Sequence, residues 1–236
     1  MKNLMFYRRR LHRSPSPHHE NHSLELSGVG SPWTVRVLSE LIRLHNPALV
    51  FLSETKCKRR KCEILKEKYN MFGLNVDARG KGGGLILLWR KDINLVVHSF
   101  SSSHIDAGIA SEMGTEGWRF TGLYGHTETA RREETWSLLR WLSHMSSKPW
   151  LCADDFNEIV SHEEKTGAPR PRRQIEDFWF CLAFCQLVDL GCSGYRQPNH
   201  LTTIHLLLSL RRFGTPYASS VENSSGSKLR GIAMLM

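Results

Sequence analysis

Two short apolar runs, each ending directly in carboxylates, constrain this chain most. Ala48-Leu49-Val50-Phe51-Leu52 leads into Ser53-Glu54-Thr55-Lys56, and Pro149-Trp150-Leu151-Cys152-Ala153 leads into Asp154-Asp155-Phe156-Asn157-Glu158. Unbroken apolar runs of this length fit strands buried on both faces, whereas half-exposed strands alternate. In α/β sheets, ligands sit beyond the carboxyl ends of strands, so two such ends with one acid each make a site. Taken singly, each acid has a plainer explanation. Glu54 suits a helix N-terminus, and Asp155 suits a turn in which it bonds its own backbone. Taken together, with Asn157 two residues past Asp155, they offer hard oxygen donors. Mg²⁺ typically takes only one or two carboxylates plus substrate phosphate, which fits so small a set. Such a cation polarises a phosphate oxygen while a carboxylate orients the attacking water.

The remaining pattern supplies helices around these strands. Ser31-Pro32 starts a helix, with Ser as N-cap and Pro in the first turn. Val35, Leu38, Leu41 and Ile42 recur at helical spacing until Asn46-Pro47 ends the run. A polar helix is predicted over about 58–68. Strand-like segments at 72–76, 84–89, 93–98, 105–112 and 118–124, separated by Gly and polar turns, suggest an antiparallel meander. Helices are predicted over 129–145 and 174–185, the second leading to Leu187-Val188-Asp189-Leu190. The whole reads as two layers of strand with helices packed outside, an α/β chain. Residues 1–22 carry arginines, two Ser-Pro steps and histidines with little to bury, so they read as a disordered basic tail.

Lys and Arg outnumber Asp and Glu by 32 to 23, a formal charge of +9. That favours a polyanionic partner, most commonly nucleic acid. A basic tail on an ordinary domain explains the excess equally well, because much of it lies in residues 8–13 and in RPRR at 170–173. No apolar run reaches the roughly 18 residues of a membrane span, and the N-terminus has no apolar core of a secretory signal. None of the six cysteines has CxxC-type zinc spacing, so they read as reduced thiols of an intracellular protein, nuclear or cytoplasmic. KGGG at 81–84 lacks the phosphate-loop spacing and precedes a strand, so a hairpin turn accounts for it better than an anion cradle.

Several blocks, in order, resemble a known family. LSETK at 52–56, GGGLILLW at 82–89, LYGHTE at 123–128, PWLCADDFNEI at 149–159 and EEK followed by PRPRRQIEDF are similar to a plant non-LTR (LINE-type) retrotransposon endonuclease of the endonuclease/exonuclease/phosphatase family. The resemblance spans roughly residues 28–194. It implies a four-layer α/β sandwich of two mixed sheets with helices outside, here partial. It also implies phosphodiester or phosphomonoester cleavage with Mg²⁺ or Mn²⁺, and DNA as partner. By the match, Glu54 is the metal-binding glutamate and Asp155 the aspartate that activates or positions water. Asn157 bonds the substrate phosphate, and Tyr124 contacts it, with His126 peripheral in the same loop.

The departures from the family pattern bear on activity. Glu25 stands where relatives carry an asparagine, and Asp154 replaces the glycine of a GDFN block. After Gly194 the family's strand-borne aspartate and C-terminal Ser-Asp-His do not appear; His200 and His205 follow no aspartate. The resemblance thus bounds a domain over 23–195, incomplete at its C-terminal end, with 196–236 a divergent and poorly ordered tail. Residues that act as a unit are not replaceable singly, so the expectation is a degenerate, inactive descendant. Two alternatives stand beside it: weak metal-dependent nuclease or phosphatase chemistry, and a non-catalytic remnant that binds nucleic acid.

Overall fold

Strand β2 (Leu49–Ser53) is buried at every position, as its apolar run requires. It lies inside a sheet, paired antiparallel with β10 (Thr203–Leu207) on one side and β4 (Leu85–Arg90) on the other. The computed structural model describes residues 6–8, 32–78, 82–110, 117–126, 128–155, 171–189, 203–207 and 232–234. It is a mixed α/β architecture of two sheets and helices, divided into two compact units. The first unit comprises Met1–Asp92 with Cys192–Arg211 and Ser220–Leu229, and the second Ile93–Gly191 with Arg212–Ser219 and Arg230–Met236.

The first unit holds a five-stranded sheet in the order β1-β10-β2-β4-β3, with β1 (Phe6–Arg8) and β3 (Met71–Val76) at its edges. Every ladder in it is antiparallel. Helix α1 (Pro32–His45) closes where the Asn46 N–H donates to the Ile42 carbonyl at 2.8 Å, with Asn46 left-handed (φ 42°) and Pro47 next. Helix α2 (Arg59–Tyr69) ends the same way on Asn70 (φ 53°). Leu38 and Leu41 of α1 and Cys62 and Leu65 of α2 cover Val50, Leu52, Ile86 and Leu88, which share one sheet face by the two-residue period of strands. Each fully buried leucine here contributes roughly 2 kcal/mol. The Tyr69 hydroxyl, 3.2 Å from the Val35 carbonyl, ties the two helices.

The second unit holds a six-stranded sheet, β5-β6-β7-β8-β11-β9. Strands β5 (Leu95–Ser101), β6 (His104–Ile109) and β7 (Trp118–Tyr124) form an antiparallel meander. The five predicted strand segments therefore do not make one meander: β3 and β4 pair as a hairpin in the first sheet, and the meander begins at β5. From β7 the chain passes through a 3-10 turn (Thr129–Arg131) and α3 (Arg132–Ser143) to β8 (Trp150–Asp155), which runs parallel to β7. A parallel neighbour demands such a crossover, because a hairpin cannot make one. Leu139 and Leu142 of α3, with Phe178, Cys181 and Leu182 of α4 (Arg172–Phe184), pack over Leu123, Trp150 and Cys152.

Strand β1 comes from the stretch read as a disordered tail, and β10 and β11 (Ile232–Met234) from the stretch read as a divergent one. Strand β11 lies between β8 and β9 (Leu187–Asp189), so β8 is paired on both sides, with β7 and with β11. Unpaired edge N–H and C=O groups invite pairing with whatever extended segment reaches them. The described cysteines, Cys57, Cys62, Cys152, Cys181 and Cys185, are free thiols and buried. No helix among the described residues is long and apolar enough to cross a membrane.

Candidate active site

In the first unit, Glu54 follows β2 directly and is half-buried between Ser53 and Thr55, both fully buried. Its backbone is left-handed (φ 53°), as is that of Lys56 (φ 51°). Neither is a glycine, and residues held this way cost on the order of 1–3 kcal/mol each and cluster at functional sites. Among the described residues the buried Ser53 Oγ has no hydrogen-bond partner, a further local cost at the same point. The turn is held from outside: the N–H groups of Thr55 and Lys56 donate to the carbonyls of Gly84 and Gly83 at 3.1 and 3.0 Å. The glycine run is thus a hairpin loop between β3 and β4, as its sequence context suggests, and its carbonyls brace the Glu54 turn.

Immediately beyond that turn lies a concentration of positive charge. Lys58 sits at the N-cap of α2 with no side-chain cap bond, and the first turn contains no acid. Lys58, Arg59 and Arg60 are exposed. Cations at a helix N-terminus oppose the helix dipole, so this arrangement is unfavourable until an anion is present.

In the second unit, β7 and β8 form a β-α-β unit whose carboxyl ends carry Tyr124 and Asp155. The parallel register pairs Tyr124 with Asp155, and Leu123 with Asp154. Neighbouring strands lie about 4.8 Å apart, so the chain brings these two predicted residues side by side at the kind of strand end where ligands bind. The Tyr124 N–H donates to the Ser103 carbonyl at 2.8 Å. His126 is tied to α3: its N–H donates to Thr135 Oγ1 at 3.2 Å, and its Nε2 lies 3.3 Å from Glu134. Arg131, first through its hydrogen bond, keeps the Glu134 carboxyl below its usual pKa. Asn157 and Glu25 lie outside the described residues.

A buried polar cluster sets that register, and the sequence reading missed it. Asp106 and Arg119 are both about 2% exposed, and Arg119 Nε donates to Asp106 Oδ1 at 2.7 Å. The same oxygen accepts from Thr121 Oγ1 at 2.5 Å, which itself accepts from Trp150 Nε1 at 2.7 Å. Arg119 Nη1 donates to the Leu142 carbonyl at 2.6 Å, and the guanidinium lies 4.8 Å from the Trp150 ring centre. One cluster therefore joins β6, β7, β8 and α3. A one-residue slip of β8 would turn Trp150 to the other face and break it. Lone charges inside apolar strands, HIDAGI and WRFTGLY, were the available signal, since unpaired charges are almost never fully buried. His104 in β6 is buried between Ser99 and Ser101, at 3.0 and 2.8 Å, and burial lowers its pKa.

A divalent cation is the group the family fold implies. Among the described residues there is no group of three or more His, Cys, Asp or Glu that could hold a metal. A hard cation that keeps most of its waters does not need one. The donor type at Glu54, a carboxylate at a strand end, fits Mg²⁺ or Mn²⁺ rather than a thiolate- or imidazole-seeking metal.

No family model matches the chain, and no curated protein sequence matches it. Solved structures do match. The endonuclease domain of TRAS1, a telomere-specific non-LTR retrotransposon, is 10% identical at a TM-score of 0.55, covering 77% of this chain and 95% of that one. An AP endonuclease from Archaeoglobus fulgidus is 12% identical at 0.53, covering 73% and 81%. The 3'-5' exonuclease NExo from Neisseria meningitidis is 11% identical at 0.54, again covering 73% and 81%. At these identities the likeness is one of fold, and the fold of this chain is the endonuclease/exonuclease/phosphatase type.

Proposed function

We propose that the chain is a degenerate, retrotransposon-derived endonuclease domain that binds DNA and no longer cleaves it at an appreciable rate. The observation that carries the reading is the β7-α3-β8 unit, whose register sets Tyr124 beside Asp155 at adjoining carboxyl ends. On this reading Tyr124 contacts the phosphate, Asp155 orients water, Asn157 bonds the phosphate and Glu54 would hold Mg²⁺ or Mn²⁺. The cation, when bound, supplies charge stabilisation to the phosphate oxygens. Two features support a DNA partner: the formal charge of +9, and the exposed Lys58, Arg59 and Arg60 beside the Glu54 turn. Glu25 in place of the asparagine, and Asp154 in place of the glycine, support the loss of cleavage. Charge stabilisation and proton transfer each contribute orders of magnitude, so an incomplete set leaves little rate.

The deciding assay is nicking of a supercoiled plasmid with Mg²⁺ or Mn²⁺ by the chain, Glu54→Ala and Asp155→Ala. The expected result is no nicking above background in any of the three, with plasmid binding retained. Nicking by the parent chain that disappears in both variants would establish a working nuclease and overturn the proposal.

A further inference from the structure

Gly83 and Gly84 lie in the turn between β3 and β4, and their contacts bear on the acid placed at the end of β2. Three backbone hydrogen bonds tie the segment 55–57 to the segment 78–84: Thr55 to Gly84 at 3.1 Å, Lys56 to Gly83 at 3.0 Å and Ala78 to Cys57 at 3.2 Å. Gly83 and Gly84 both have positive φ, 76° and 88°, so a side chain is strained at either. Their surroundings differ. A Cβ on Gly84 would lie 2.6 Å from Thr55 Oγ1 and 3.2 Å from the Ala78 Cβ, whereas a Cβ on Gly83 would meet nothing within 4 Å. Thr55 is fully buried and its Oγ1 accepts from the Cys57 N–H at 3.4 Å, so displacing it disturbs that bond. Pushing it moves the peptide that joins it to Glu54.

We propose that Gly84 is a positioning residue for Glu54: the bare backbone of the hairpin loop seats against Thr55 and fixes the left-handed turn that aims the Glu54 carboxylate at a divalent cation. The inference rests on the proposed role of Glu54 as metal ligand. It does not require catalysis, since cation binding persists in a site that has lost its rate. Residues that orient a ligand without touching the metal typically govern about 10- to 100-fold in metal affinity.

The test compares the full chain with Gly84→Ala, Gly83→Ala and Glu54→Ala, reading Mn²⁺ binding by electron paramagnetic resonance and amide exchange at Thr55 and Lys56 by NMR. Gly84→Ala is expected to weaken Mn²⁺ binding about tenfold and to speed exchange of both amides, while Gly83→Ala stays within about threefold on both. Adding Thr55→Ala to Gly84→Ala makes room for the methyl group, and this double variant is expected to recover most of the lost affinity. It also decides the matter if Gly84→Ala alone does not fold. Equal losses in the two glycine variants, parental values in Gly84→Ala, or no recovery in the double variant would each overturn the proposal. Unchanged Mn²⁺ binding in Glu54→Ala would overturn the role of Glu54 itself, and that of Gly84 with it.

Discussion

Glu54 and Asp106 are both acids carried by or next to buried strands, and their surroundings differ. Asp106 is sealed in, with Arg119 and Thr121 bonded to one of its oxygens. Glu54 is half-buried on a strained turn where a strand ends. A sealed ion pair contributes little net stability, because desolvation offsets the attraction, but removing one partner strands the other. Asp106→Ala leaves the Arg119 guanidinium buried without its carboxylate, and should cost about 3–5 kcal/mol, read from the urea unfolding midpoint. A loss below about 1 kcal/mol would mean that Arg119 finds water or another acceptor. Glu54 and Asp155 stand out in the sequence as strand-end acids against apolar runs, whereas Tyr124 is a candidate only through the family resemblance. The Asp106–Arg119 pair was not, because the two lie on different strands and nothing in either strand names its partner.

Among the elements, α2 and the β7-α3-β8 unit carry the functional argument. The helix was legible in the sequence to within a residue or two as a polar stretch over about 58–68, but its exposed basic start beside the Glu54 turn emerges only in the fold. If DNA phosphates meet this helix end, Arg59→Ala with Arg60→Ala should lower the slope of log affinity against log salt by about 2. An unchanged slope in the double variant would assign the phosphate contacts to other basic residues. The β7-α3-β8 unit shows the limit of local reading. Its strands and helix were each visible, but the parallel pairing that sets Tyr124 beside Asp155 is made across α3.

At the scale of the whole molecule, both sheets are completed by segments far along the chain. Strand β10 enters the first sheet between β1 and β2, and β11 enters the second between β8 and β9. Both are inner strands, so removing them opens the first sheet beside β2 and the second beside β8. A chain of residues 1–195 should therefore unfold at lower urea and over a broader range than the full chain, followed by circular dichroism. Identical transitions would show that β10 and β11 contribute nothing to stability. Periodicity and punctuation in the sequence determined by themselves most of the helices and strands between residues 32 and 189, the burial of β2 on both faces, and where acids fall at strand ends. These are properties of near neighbours, set by side-chain spacing and turn chemistry. Only the tertiary structure decided that β3 and β4 leave the meander, that the glycine loop braces Glu54, and that residues read as tails become inner strands. Those outcomes depend on pairings between distant segments, whose stabilisation is spread over many backbone bonds and small contacts, none of which leaves a mark on the local sequence.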